Sequence, residues 1–209
     1  MKNFGFLVFC VLSLSFYNCS SDDSSDGGDG MNPGEIKQTI FGVFEANESS
    51  NEIIMQGIIS ENTSSDLEDL LTEYPNTNLV IMLDVDGATS SNAAFTAGLV
   101  VRDAGLDVRI ADNSTITREA VDFMLGGINR SKGVNAQLSV GAWRNEQGQT
   151  PSDFPFGHEV HLPWINFYQQ VGFQFQLATD FYNFWTVVAG PDEEYFLSDD
   201  EIDTFNLLN

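Results

Sequence analysis

His158 and His161 are the only histidines of the chain, and they bracket Glu159 in the run Gly157-His158-Glu159-Val160-His161. Imidazole and carboxylate are ordinary zinc ligands, and either ring could act as base toward a hydroxyl brought close by the fold. The helical zinc motif places its histidines at i and i+4, whereas here the spacing is i and i+3. The simpler reading is a loop with two solvent-exposed rings. Asp84-Val85-Asp86-Gly87 is the second cluster. Its carboxylates could open a calcium loop, but the position of the closing bidentate glutamate is Phe95, which offers no oxygen. They could also share acid/base work as in glycosidases, although no second sugar-site signature accompanies them. The simpler reading is a turn before a capped helix. No metal and no cofactor is therefore expected. The nucleotide fingerprints G-x-G-x-x-G after a strand and G-x-x-x-x-G-K-[ST] are both absent.

Composition narrows the classes further. With 8 Lys+Arg against 31 Asp+Glu, the formal net charge is -23. Such a surface repels phosphate backbones and anionic lipid heads, so no nucleic-acid partner is expected. Apolar residues are 42% of the chain, enough for one sizeable core. Both cysteines, Cys10 and Cys19, fall in the leader region. That excludes a disulfide scaffold, a Cys-ligated zinc site and a cysteine nucleophile in the domain that follows.

The leader itself starts Met1-Lys2-Asn3, runs apolar from Phe4 to Phe16 and closes on Tyr17-Asn18-Cys19. A positive start and a short apolar stretch mark an export signal, too short to span a bilayer. After Cys19 the chain turns to Ser, Asp and Gly, a self-repelling tether. The whole resembles a bacterial lipoprotein leader, which implies residues 1–18 as signal peptide, Cys19 as the lipidated residue and 19–35 as tether. It implies an outer-membrane lipoprotein on the periplasmic face or the cell surface, held to the membrane by its lipid.

The elements that must position the clusters follow from residue 36 onward. Apolar patterning predicts strands at Ile36–Phe44, Glu52–Ile59, Leu79–Leu83, Leu106–Ala111 and Leu138–Trp143. It predicts helices from a Ser64 or Ser65 cap through Leu71, over Ser91–Arg102, Thr117–Leu125, Leu162–Val171 and Phe175–Val188, and a last one from Ser198. Strands alternating with helices give an α/β domain with a mostly parallel sheet.

Several segments, in order, resemble the ClpP/crotonase superfamily, and within it exported ClpP-like serine peptidases. They are Ile54-Met55-Gln56-Gly57-Ile58-Ile59, the strand Leu79–Leu83 with Asp84-Val85-Asp86-Gly87-Ala88 after it, and Ala104-Gly105-Leu106-Asp107-Val108. Phe123-Met124-Leu125-Gly126-Gly127-Ile128-Asn129-Arg130, Val140-Gly141-Ala142-Trp143, Phe167–Gly172 and Leu197–Ile202 continue the series. The resemblance implies repeated ββα units, a mostly parallel sheet and C-terminal helices over 36–209. It also implies assembly through the late helices, so a homo-oligomer or a protein partner, with the aromatics between Trp164 and Trp185 as a candidate face.

The catalytic positions of that family are altered here. Counting back from Gly127, the nucleophile position is Arg118, or Thr117 if the register slips by one. The base position is Trp143, whose indole has no basic nitrogen. The oxyanion turn holds Asp84, Asp86 and Gly87, and a carboxylate opposes a developing oxyanion. The expectation is a pseudoenzyme acting as a binding or assembly module, with Arg118 stacked on Trp143 in the old site. The rival is a divergent hydrolase using Thr117 with His158 or His161 as relocated base.

Overall fold

A computed structural model describes residues 39–47 and 50–209; the signal peptide, Cys19 and the tether lie outside the described residues. The first element is a hairpin, β1 (Ile40–Phe41) and β2 (Phe44–Ala46). The continuous strand expected here is broken at Gly42, which takes φ 56 and turns the chain back on itself. An antiparallel β3 (Glu52–Ile59) follows, alternating buried Ile53, Met55 and Ile59 with outward residues. Next come α1 (Thr63–Glu73), β4 (Leu79–Ala88) and α2 (Ser91–Asp103). α1 starts at Thr63 after Asn62, with no side-chain cap, so neither Ser64 nor Ser65 plays the expected part. Thr63 instead accepts the Ser60 N–H within the preceding turn. α2 is capped as sequence implies, Ser90 Oγ accepting the Ala93 N–H at 3.1 Å.

β5 (Asp107–Ile110), β6 (Thr115–Thr117), α3 (Glu119–Leu125), β7 (Arg130–Lys132) and β8 (Gln137–Val140) form the middle of the chain. β4 pairs parallel with β3 along one side and forks along the other. Leu79–Met82 pairs with β5, while Val85 and Asp86 pair with β6. β7 extends the first branch and β8 the second, all in parallel. The repeated ββα plan is visible in β5-β6-α3. The fork falls at Asp84, whose φ is 48 and whose carboxylate accepts the Thr115 N–H at 3.0 Å. The turn expected at 84–87 is thus a change of ladder partner inside one continuous strand.

The C-terminal part holds α4 (Leu162–Gln170), α5 (Phe175–Val188), β9 (Tyr195–Phe196), antiparallel to β8, and α6 (Asp199–Thr204). α6 opens with a reciprocal Ser198–Glu201 capping box. Most aromatics of α4 and α5 point inward: Phe167, Tyr168, Phe181, Tyr182 and Trp185 are buried, while Phe175 is exposed. Phe95 of α2 stacks on Phe167 with ring centroids 4.6 Å apart. The candidate subunit face is therefore mostly core, because these rings are what seals the helices to the sheet.

Two close approaches fix α3. A Cβ on Gly126 would lie 2.1 Å from the Gly98 carbonyl oxygen, so the two glycines let α2 and α3 touch backbone to backbone. Arg130 is buried and donates to the carbonyls of Leu125, Asn206 and Leu207, tying the end of α3 to the C-terminal tail.

Candidate functional site

β6 carries the chain to Arg118, and α3 leaves from it. Arg118 has φ 50 and ψ -119, the mirror image of an ordinary extended residue and a conformation natural only to glycine. Its N–H donates to the Ser139 carbonyl at 2.8 Å, and its carbonyl accepts the Val121 N–H at 2.9 Å. Neighbouring strand and helix thus hold the elbow in a strained state. The side chain lies against Gly141, where a Cβ would be 3.3 Å from Arg118 Cζ. Arg118 Nη2 donates to the Glu193 carbonyl at 2.9 Å.

The expected Arg118–Trp143 stack is not formed. Trp143 lies parallel to Trp164, 9° between planes and 5.4 Å between centroids. The carbonyl of Glu193 offers the guanidinium a hydrogen bond that an indole face cannot, and a second indole takes the face of Trp143.

Thr117 is buried beside the elbow. Its Oγ1 donates to Asp86 Oδ1 at 2.8 Å, straight across the β4–β6 ladder. Neither histidine bonds to it. His161 Nδ1 meets Tyr182 Oη at 2.7 Å, and His158 Nδ1 accepts the Val160 N–H. The two rings are not a solvent-exposed pair: His161 is buried and His158 is half-buried, 5.0 Å from the Phe154 ring. Among the described residues no three His, Asp or Glu side chains converge as a metal site.

Gly87 has φ 65, and a Cβ there would lie 3.2 Å from Glu119 Oε2. A carboxylate therefore faces the strand end where an acyl-transfer site would present donors. Asp86 and Asp84 are exposed on the same strand.

Two polar relays run behind the elbow, and sequence reasoning missed both. In the first, Trp185 Nε1 donates to Tyr168 Oη at 3.0 Å, and Tyr168 donates to Asp122 Oδ1 at 2.9 Å. Burial pushes the Asp122 carboxyl well above the usual carboxylate range; the Tyr168 hydrogen bond opposes this and nearby Glu119 adds to it. In the second, Trp143 Nε1 donates to Tyr182 Oη at 3.0 Å, and the Tyr182 proton is available to His161 Nδ1. Burial pushes the Tyr182 phenol up to about 12. One signal was legible: Asp122 is the lone acid inside the apolar run Ala120–Leu125.

Arg118, the first relay and Trp143 of the second line a narrow aromatic cavity of about 20 Å³. A wide groove opens on the other side of Arg118, past Ser90, Trp143 and Arg144. Arg144 pairs in a fork with Asp192, at 3.0 and 2.7 Å, which lowers the Asp192 carboxyl below its usual range.

No protein-family model matches the sequence, and no curated protein is similar to it. Solved structures are similar to it. A mutant of ClpP1 from Listeria monocytogenes superimposes with a TM-score of 0.50 at 12% identity, covering 76% of this chain and 89% of that one. A peptidase from Plasmodium falciparum gives 0.49 at 13%, over 77% and 94%. A mutant of the 1510-N membrane-bound stomatin-specific protease, in complex with a substrate peptide, gives 0.48 at 16%, over 75% and 71%. The domain has the ClpP-like fold: α/β, with a mostly parallel sheet and C-terminal helices.

Proposed function

We propose that this chain is a lipid-anchored cell-envelope protein whose ClpP-like domain binds a ligand or partner and does not cleave one. The observation that carries this reading is Arg118 in the elbow, a guanidinium at the point where the fold would present a nucleophile. Thr117 supports it, since the hydroxyl points to the Asp86 carboxylate, a weaker base than an imidazole. A fluorophosphonate serine-hydrolase probe should leave the purified full chain unlabelled. Labelling that disappears in Thr117→Ala would replace this reading with a hydrolase using that threonine.

The anchor is proposed on the leader. Cys19→Ala should move the protein from the membrane fraction to the soluble one; retention would place the anchor elsewhere. Among the described residues no helix is long and apolar enough to cross a membrane. Assembly into a homo-oligomer rests on the outer sheet face, where Ile40, Ile54 and Ile58 are exposed. Light scattering should give a mass above one chain, and a monomer at high concentration would remove assembly from the proposal.

A further inference from the structure

The cavity and the groove meet at Arg118, which lines both. Arg109, Lys132 and Arg144 each sit in an ion pair. Arg118 has none among the described residues, and its one hydrogen bond takes a single donor to a carbonyl. A guanidinium presents five donors in a planar fork that matches a carboxylate. Those left over have no partner among the described residues.

The cavity wall is apolar and aromatic, built of Trp143, Trp164, Tyr168, Phe181 and Trp185. Its polar floor group, Asp122, is occupied by Tyr168. It bears no ion pair, and burial favours its uncharged form, so the floor does not call for a cation. Glu119 also lines both cavity and groove, with its carboxylate toward Gly87, and Glu146 lines the groove. Asp192, the nearby carboxylate, is already matched by Arg144. The charged groups common to cavity and groove are thus Arg118 and Glu119, and of the two only the guanidinium can donate to an acid; surface charge beyond about 8 Å is screened at physiological salt.

Resting on the reading of this site as a binding site, we propose that Arg118 holds the carboxylate of an apolar organic acid whose hydrophobic group packs on Trp143 and Trp164 in the groove. The inner cavity, about 20 Å³, is too small for a ring, whereas the groove is open and lined by both indoles. Both indoles are half-buried, so each keeps surface open to a ligand. The chemistry suits either the C-terminal residue of a peptide, with upstream chain along the groove, or a free aryl or alkyl acid.

The chain has three tryptophans, and two of them, Trp143 and Trp164, line the groove. Intrinsic fluorescence of the full chain therefore reads occupancy directly. N-acetyl-phenylalanine should change the emission saturably, and its C-terminal amide should bind at least about tenfold more weakly. Arg118→Gln should erase that preference and Arg118→Lys should keep part of it, with circular dichroism confirming that both variants fold. A tripeptide ending in free phenylalanine that binds more tightly than N-acetyl-phenylalanine assigns the site to peptide ends. Equal or tighter binding of 3-phenylpropionate assigns it to free acids. Equal affinity for acid and amide, a preference that survives Arg118→Gln, or no saturable change into the millimolar range overturns the proposal. Those results without fluorophosphonate labelling leave the binding-module reading standing; labelling lost in Thr117→Ala removes that reading itself.

Discussion

Thr117 and Asp86 face each other across the parallel ladder between β6 and β4, and the hydroxyl of one donates to the carboxylate of the other at 2.8 Å. The bond closes the hydroxyl side of the elbow. It leaves the Arg118 side chain as the group that the elbow presents to cavity and groove.

The elbow is strained for any residue with a Cβ, at φ 50 and ψ -119. Arg118→Ala and Arg118→Gly both remove the guanidinium, and they differ in strain alone. Glycine should be the more stable of the two by about 1 kcal/mol, against its usual entropic disadvantage. Urea denaturation of both variants measures the difference; alanine equal to or above glycine would mean that the backbone relaxes there.

Asp122 gives a pH signature. Its carboxyl is raised in the folded chain, while in the unfolded chain it titrates near about 4. Between the two values the native state holds the extra proton. That contribution is complete below the unfolded value and is lost as pH rises through the folded one. The slope is on the order of 1 kcal/mol per pH unit inside that window. Asp122→Asn should flatten it relative to the parent chain, seen in denaturation midpoints collected from about pH 5 to about pH 8. Parallel curves would mean that the carboxyl is ionised in the native state.

Gly126→Ala tests the contact between α2 and α3. The added methyl would lie 2.1 Å from a backbone oxygen, that of Gly98, which cannot rotate aside as a side chain can. A loss of at least about 2 kcal/mol is expected, together with weaker ligand response, since α3 starts from Arg118 and carries Asp122. Thermal unfolding unchanged from the parent would show that the helices separate without cost.

Much of the frame is readable in the residues. The alternation of Glu52–Ile59 and the aromatic period of Phe175–Val188 mark β3 and α5 to the residue. β6, β7 and β9 escape because they are short, and Thr115–Thr117 and Arg130–Lys132 are polar. Their strand state comes from ladder partners, not from their own preference. Arg118 is found by counting from Gly127, yet nothing about an arginine announces a positive φ. Asp122 with Tyr168, and His161 with Tyr182, are joined only by tertiary packing, so local pattern holds no trace of either pair.

The backbone at Arg118 also sets how easily the elbow could relax. Every arginine codon is one base away from a glycine codon, and glycine is the residue that this φ and ψ would relax. On the proposed binding role, that single-base change exchanges carboxylate affinity for stability, so the strain is the cost of placing a guanidinium there.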